Sequence, residues 1–270
     1  MEIISYNISW KTMEGLSKSR INMNDLGIAC SNDNSQKCIK NVARFINKYG
    51  PDCDFIALQE AIVTNYNNKT HNFNNLKIGS YFTKKLMKSK NVYISVSKNE
   101  HSVTLYSKKY KLIYNLNLDL PNTHNNRLCK GRAGHVLYLL DTTSNKYVLF
   151  INIHSGHDND AAVRTLNKFF YKTLKKLKLY KGTKIIIAGD FNNNIKHKKL
   201  KIKNQLMKNN VNRPYTCCNN FKYNEDNWID TTDFKGKFDN VLSNYKIPTY
   251  LKYDLPKFPS SDHLPVYVRL

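Results

Sequence analysis

The sequence predicts a single mixed α/β domain spanning residues 1–270, and three observations carry that expectation. Short, dense apolar runs rich in β-branched and aromatic residues recur along the chain, two stretches carry a helical period, and no Pro/Gly/Ser linker divides them. A chain of 270 residues can bury a full core without covalent staples. With 41% hydrophobic and 12% aromatic residues, disorder is excluded. No apolar run approaches the ~20 residues that span a bilayer, so no transmembrane segment is expected. The first residues (Ile3, Ile4, Tyr6) read as a strand rather than a signal peptide, so an intracellular location, cytoplasm or nucleus, is expected.

Taken in order, strands are expected at residues 3–7, 55–59, 103–106, 136–140, 147–153, 184–188, 238–242 and 266–269. Each is short and bounded by polar or turn residues. A helix is expected over 36–49, where Ile39, Val42, Ala43 and Ile46 fall at i, i+3, i+4 and i+7. A second is expected over 161–179: Val163, Leu166, Phe170, Leu174 and Leu177 form a stripe, with Lys168, Lys172, Lys175 and Lys176 on a solvated face. The Asn- and Lys-rich stretches 64–80, 115–130 and 192–237 are expected to be the least structured. No internal repeat occurs at a solenoid period. The implied architecture places long, chemistry-bearing loops above a sheet.

The six cysteines (Cys30, Cys38, Cys53, Cys129, Cys217, Cys218) show no CxxC spacing, which argues against zinc. Without a secretory signal, free thiols are the expectation, and all six read as structural or incidental. The charge balance is more telling: 43 Lys and Arg against 20 Asp and Glu leave +23. Such a surplus fits a polyanionic partner, whether nucleic acid, an anionic membrane face or a polyphosphate. Part of it has a plainer source, because Lys and Asn crowd together (Asn72-Phe73-Asn74-Asn75, Asn192-Asn193-Asn194) as an AT-rich coding sequence would produce. The densest basic tract, residues 196–203, reads either as an inconsequential exposed segment or as a set of substrate contacts.

The sharpest motif is Ile185-Ile186-Ile187-Ala188-Gly189-Asp190-Phe191-Asn192. A buried strand ends in a glycine and delivers Asp190 and Asn192, at i and i+2, to one face. Alone, Gly-Asp-x-Asn is equally a turn, with Asp and Asn chosen for local backbone hydrogen bonds. Other strands end the same way, however. Ile3-Ile4-Ser5-Tyr6 leads to Asn7, Phe55-Ile56-Ala57-Leu58-Gln59 to Glu60, and residues 147–153 to His154. Asp239 follows Phe238 at the start of an apolar run, and Ser261-Asp262-His263 precedes the terminal strand. A purely structural account needs a separate coincidence at each.

In this order, Tyr6-Asn7, Leu58-Gln59-Glu60, Asn152-Ile153-His154, Gly189-Asp190-Phe191-Asn192, Phe238-Asp239 and Ser261-Asp262-His263 resemble the endonuclease/exonuclease/phosphatase superfamily, whose fold is deoxyribonuclease I-like. The resemblance runs from Ile3 to Val268. It implies a four-layered α/β sandwich: two packed mixed β-sheets flanked by helices, with the site at one open edge. It also implies roles. Glu60 matches the principal metal-binding glutamate, with Asn7 and Asp262 completing a cluster for a divalent ion. Hard oxygen ligands of this kind suit Mg²⁺, or Mn²⁺ in its place. Asp190 and Asn192 match the pair that handles the attacking water and the phosphate. His263 matches the catalytic histidine, Asp239 its orienting carboxylate, and His154 a second histidine. More distantly, Glu100 and Arg132 resemble that histidine's supporting glutamate and a phosphate-contacting arginine.

Three departures bear on substrate. Asn240 stands where the family commonly has an arginine, Ala61-Ile62-Val63 lacks a basic residue, and Lys237-Phe238-Asp239-Asn240 replaces the Trp-Cys-Asp-Arg signature of inositol 5-phosphatases. His157, three residues past His154, is a further substrate-contact candidate, as are Lys198, Lys199 and Lys201. His71, His101, His124, His135 and His197 match nothing.

The leading function is a divalent-metal-dependent phosphodiester hydrolase, a nuclease on DNA or RNA that works by in-line water attack. Nucleic acid is the expected partner, and no protein partner is implied. One alternative is a phosphatase or phosphodiesterase on a small or lipid headgroup such as an inositol phosphate or sphingomyelin. Another is a nucleic-acid-binding scaffold without activity.

Overall fold

A computed structural model describes residues 1–10, 30, 36–64, 71–97, 100–124, 127–156, 162–192, 200–210, 212, 214–217, 236–257 and 260–270. Its organisation follows from strand alternation. In β8 (Lys184–Asp190), Ile185 and Ile187 pack on one side while Ile186 and Ala188 pack on the other, and all four are fully buried. A strand apolar on both sides must be covered on both sides, and so it is.

One sheet has six strands in the order β12 (Thr249–Tyr250), β13 (Val266–Arg269), β1 (Glu2–Asn7), β2 (Phe55–Ala61), β4 (His101–Ser107), β3 (Lys90–Val96). The other has five: β11 (Asp239–Ser243), β8, β7 (Lys146–His154), β6 (Arg127–Asp141), β5 (Tyr110–His124). Both are mixed, since β1–β2 and β7–β8 pair parallel and their other pairs are antiparallel. Ile3, Phe55, Leu137, Phe150, Ile186 and Val241 fill the space between the sheets, where Phe55 and Phe150 stack at 4.3 Å.

Helix α1 (Lys37–Tyr49) covers the outer face of the first sheet, setting Val42 and Ile46 against Ile4, Ile56 and Leu58. Its neighbour α2 (Lys84–Ser89) starts at Thr83, whose hydroxyl caps the Leu86 amide, and leads straight into β3. On the far side, α3 (Ala162–Leu174) lays Leu166, Phe170 and Leu174 over Leu149, Ile151, Ile185 and Ile187. These four layers are the sandwich that the resemblance implied.

The structure corrects several expectations. Residues 115–124 and 127–130 belong to the paired strands β5 and β6, not to an unstructured stretch. Leu116, Leu118 and Leu120 alternate with Asn115, Asn117 and Asp119, and that strand period is what the Asn-rich composition hid. Strand β3 was not expected because it opens with Lys90, a buried lysine that donates to the carbonyls of Pro51 (2.8 Å) and Cys53 (2.6 Å). The stretch 64–80 holds short 3₁₀ turns at Phe73–Asn75 and Lys77–Tyr81. Helix α3 stops at Leu174, although Leu177 and Leu179 still pack on the same core. A hairpin of β9 (Lys201–Ile202) and β10 (Gln205–Leu206) lies within the stretch 192–237.

The cysteines also depart from expectation. Cys30 is disulfide-bonded to Cys38 in the first turn of α1, Cys217 is disulfide-bonded too, and buried Cys53 is free. Disulfides persist in oxidising surroundings, so the pairing runs against the expectation of free thiols in an intracellular chain. No helix among the described residues is long and apolar enough to cross a membrane.

Inward-facing positions change character toward one end of the cleft between the sheets. Ile3 and Ser5 lead to Asn7, Phe55 and Ala57 to Gln59, Phe150 to Asn152 and His154, Ile186 and Ala188 to Asp190, and Val241 to Asp239, all buried. The Asn152 carboxamide accepts from Gln59 Nε2 (2.8 Å) and donates to Val103 O (2.9 Å) and Thr104 Oγ1 (3.2 Å). His135 lies beneath, bonded to Ser95 Oγ (2.9 Å) and Thr104 Oγ1 (2.7 Å). Burial pushes its pKa down to about 3, with a smaller contribution from His71.

A histidine depressed in this way contributes stability fully above its unfolded value near 6.5, and that stability is lost as pH falls toward 3. His135→Gln removes the titration while keeping polar contacts. Between pH 6.5 and 4, chemical denaturation should show the unmodified protein losing stability more steeply than the variant, by up to about 1.4 kcal/mol per pH unit. Parallel slopes would show that His135 is not held neutral.

Candidate active site

The polar end of the cleft gathers side chains from both sheets. Asp190 sits at its centre, at the end of β8. Its Oδ1 accepts from the Asn192 amide (2.7 Å) and its Oδ2 accepts from Asn7 Nδ2 (3.0 Å). His154 Nε2 and His263 Nε2 lie 3.5 and 3.8 Å from the same Oδ2. Burial opposes its charge, yet the His263 and His154 imidazoliums, with the Asn192 and Asn7 donors, hold its pKa below the usual range.

Each histidine has its own carboxylate. His263 Nδ1 donates to Asp239 Oδ2 at 2.8 Å, and His154 Nδ1 lies 2.9 Å from Glu100 Oε1. Burial alone would lower both rings. For His263, Asp239 and Asp190 outweigh it and raise the pKa well above 6.5; for His154, Glu100 does so, helped by Asp190. Asp239 is itself pushed up to about 6 by burial, against the pull of His263. These shifts favour the ionised form of each pair, in which both Nε2 atoms carry a proton aimed into the site. Glu100 also accepts from Arg132 Nη1 (2.7 Å) and the Ala133 amide (3.2 Å), joining Arg132 to His154.

Local backbone distortions aim these groups. Simple alternation would point Glu60 away from Gln59's side, but Glu60 has φ +52° and the β2–β4 register shifts between Leu58 and Ala61. This bulge turns Glu60 inward, where its Oε1 accepts from Asn7 Nδ2 at 3.1 Å. Asn192 has φ +46° and donates its Nδ2 to Ser155 O at 2.8 Å, while Ser155 Oγ donates to Phe191 O. Gly189, at φ +151°, leaves no room for a Cβ, which would meet Ile153 O at 1.9 Å. Ser261 Oγ donates to Asn7 O (2.8 Å) and so ties the Asp262-His263 segment to the end of β1.

Of the expected site residues, the structure therefore brings Asn7, Glu60, Glu100, Arg132, His154, Asp190, Asn192, Asp239 and His263 into one linked network, with Asp262 beside it. His157, Lys198 and Lys199 lie outside the described residues. Lys201 is exposed on β9 against the outer helix α3, with its amide on Asn167 Oδ1 (2.7 Å). Two residues of the network were not foreseen. Thr216 Oγ1 accepts from the Asp239 amide at 3.2 Å, and Cys217 Sγ lies 3.3 Å from His263 Nε2. Both fall in a stretch without strand or helix period, so nothing local marked them.

The donor set suits a divalent cation. With Glu100 and Arg132 cancelling, the carboxylates of Glu60, Asp190, Asp239 and Asp262 face only two imidazoliums, and the partly exposed Glu60 leaves Oε2 without a hydrogen bond among the described residues. Asp190, Asp239 and His263 bring one ligand atom each within 4.8 Å of one another. However, the His263 nitrogens carry protons directed at Asp239 and Asp190, which makes that trio a proton relay first. Asn7 presents its N–H groups, not its oxygen, to Glu60 and Asp190, because its Oδ1 takes the Ser9 amide (2.9 Å).

A cleft between two mixed sheets, ending in paired His–carboxylate dyads around an aspartate, defines a hydrolase-like centre. The chain belongs to the Endonuclease/Exonuclease/phosphatase family, whose profile matches residues 4–263; members of that family hydrolyse phosphoester bonds. Among solved structures it is similar to a functionally unknown conserved protein from Enterococcus faecalis (16% identity, TM-score 0.63, covering 100% of this chain and 98% of that one). It is similar also to the mannosyl-6-phosphatase of Bacteroides thetaiotaomicron (17%, 0.61, 100% and 98%). A third is TDP2 of Caenorhabditis elegans (15%, 0.61, 99% and 73%). By sequence, no curated protein matches the chain.

Asp190→Asn and His263→Ala should each lower turnover about 10²-fold or more while substrate binding persists, as expected of groups that act on the transition state. Asp239→Asn should lower it less and shift the alkaline limb of the rate profile to lower pH, since the raised pKa of His263 rests on Asp239. Steady-state kinetics across pH checks this, and an unmoved alkaline limb would separate Asp239 from the role.

Proposed function

We propose that the protein is a divalent-metal-dependent phosphodiesterase that cleaves nucleic acid by in-line attack of water. The observation that carries the reading is the Asp190 carboxylate held between two protonated histidines, each backed by its own acid. A carboxylate held below its usual pKa is a weak base. Its better role is to accept a hydrogen bond from the attacking water and fix its line of approach. Asn192, whose Nδ2 makes one bond among the described residues, to Ser155 O, positions the phosphate. His263 and His154 donate from Nε2 to the phosphoryl oxygens or the leaving oxygen, and Asp239 and Glu100 keep them charged. Arg132, paired with Glu100, places guanidinium N–H donors beside them.

Glu60 and Asp262 would hold Mg²⁺, or Mn²⁺, with Asn7 joining as a ligand only if its amide turned over. The ion supplies neutralisation of the charge that develops on the phosphoryl oxygens. Nucleic acid is the substrate class favoured by a net charge of +23, because each neutralised phosphate releases condensed counterions.

An excess of EDTA should abolish cleavage of single-stranded DNA or RNA, and Mg²⁺ or Mn²⁺ should restore it better than Zn²⁺. Glu60→Gln should need more Mg²⁺ for half-maximal rate without a matching loss in melting temperature. Cleavage that survives chelation would overturn the mechanism. Binding with a total log–log salt slope shallower than about −1.4, the value for two single-strand phosphate contacts, would shift the substrate to a small phosphoester.

A further inference from the structure

Beyond the catalytic cleft, the outer layer carries a preformed basic cavity. Its volume is about 410 Å³, within the range of small-ligand sites, and Asn167, Tyr171, Lys175, Lys201, Lys203 and Asn204 line it. One wall is the β9–β10 hairpin, whose two-residue turn, Lys203 and Asn204, has φ +50° and +64°. The other wall is the C-terminal half of α3. Several contacts fix the walls together. Ile202 and Leu200 are buried in the core beneath α3, Asn167 Oδ1 accepts from the Lys201 amide, and Lys203 Nζ donates to Leu174 O and Lys175 O, each at 3.1 Å.

The charges in the cavity are not equivalent. Lys203 spends its ammonium on the carbonyls at the negative end of α3, which offset its charge. Lys175 and Lys201 have no acidic partner among the described residues, so their charges are open to a ligand. Tyr171 is 66% exposed beside them, an aromatic face largely open to solvent. A planar base on Tyr171 with phosphates on the two lysines satisfies both features. A flat membrane surface would meet the lysines but leave the cavity between α3 and the β9–β10 hairpin unfilled.

The cavity is distinct from the catalytic centre. Helix α3 is the crossover between parallel β7 and β8, so it starts near His154 and Asp190 and runs back toward the opposite end of the sheet. Its far end therefore lies on the order of 20 Å from that centre, a span of several nucleotides.

We propose that this cavity is an auxiliary site for single-stranded nucleic acid, which grips a segment of the strand several nucleotides from the scissile phosphate. It rests on the nucleic-acid reading of the catalytic centre. The test compares the unmodified protein with a Tyr171→Ala/Lys175→Gln/Lys201→Gln variant, all at exposed positions. Binding of a fluorescein-labelled oligothymidylate long enough to reach from cleft to α3 is followed by anisotropy in EDTA, across a salt series. The variant should bind about tenfold or more weakly, with a salt slope shallower by about 1.4, the equivalent of two single-strand phosphate contacts. Its hydrolysis of bis(p-nitrophenyl) phosphate in Mg²⁺ and its melting temperature should match the unmodified protein.

Unchanged affinity and slope would overturn the site. So would an unchanged oligothymidylate affinity combined with lost binding to phosphatidylserine vesicles, which would assign the cavity to a membrane surface. Failure of the unmodified protein to hydrolyse bis(p-nitrophenyl) phosphate would count against the catalytic reading instead, and the anisotropy series reads the cavity independently of it.

Discussion

Asn152 ties the two sheets together at the point where the core gives way to the site. Its carboxamide spans from β7 to Gln59 on β2 and to Val103 and Thr104 on β4, deep in the cleft. Buried amides are costly unless fully bonded, and here the bonding partners lie across the inter-sheet gap. The sheets can therefore slide relative to one another only by breaking those bonds. Glu60 is one residue from Gln59 and His154 two from Asn152, so the same lock sets the separation of the acidic edge from the histidine edge. Below it, the stacked rings of Phe55 and Phe150 supply the apolar floor.

The electrostatics above that floor are a consequence of burial. Asp190, Asp239, His154 and His263 are all nearly inaccessible to solvent, and isolated charges there would be neutralised by proton transfer. They stay ionised because each faces an opposite charge or an N–H donor. The arrangement gives a centre whose carboxylate is a hydrogen-bond acceptor and whose imidazoles are donors, the polarity that a trigonal-bipyramidal phosphorane needs. Stability is drawn from the apolar layers beneath α1 and α3, which leaves the edge free to hold strained residues at Glu60 and Asn192.

Much of this was legible in the chain. Apolar strands that end in Asn7, Glu60, His154 and Asp190 already placed reactive groups at strand edges. The order of the strand-end motifs then named the family. What misled was composition: the Asn- and Lys-rich stretch 115–130 looked loose, yet its leucines kept a strict strand period. Cysteine spacing likewise concealed the Cys30–Cys38 bond, because a separation of 8 residues matches no recognised pairing pattern.

The sequence by itself determined the α/β class, the covered strands and the identities of the reactive groups, because alternation and strand ends are local properties. Tertiary structure alone decided their chemistry. Only packing sets Cys217 against His263 and Thr216 against Asp239, joins Glu100 to both Arg132 and His154, turns Glu60 inward through a bulge, and carries Lys201 away to the back of α3. Each of these is a meeting of residues far apart in the chain, and their charge states depend on burial that no local pattern encodes.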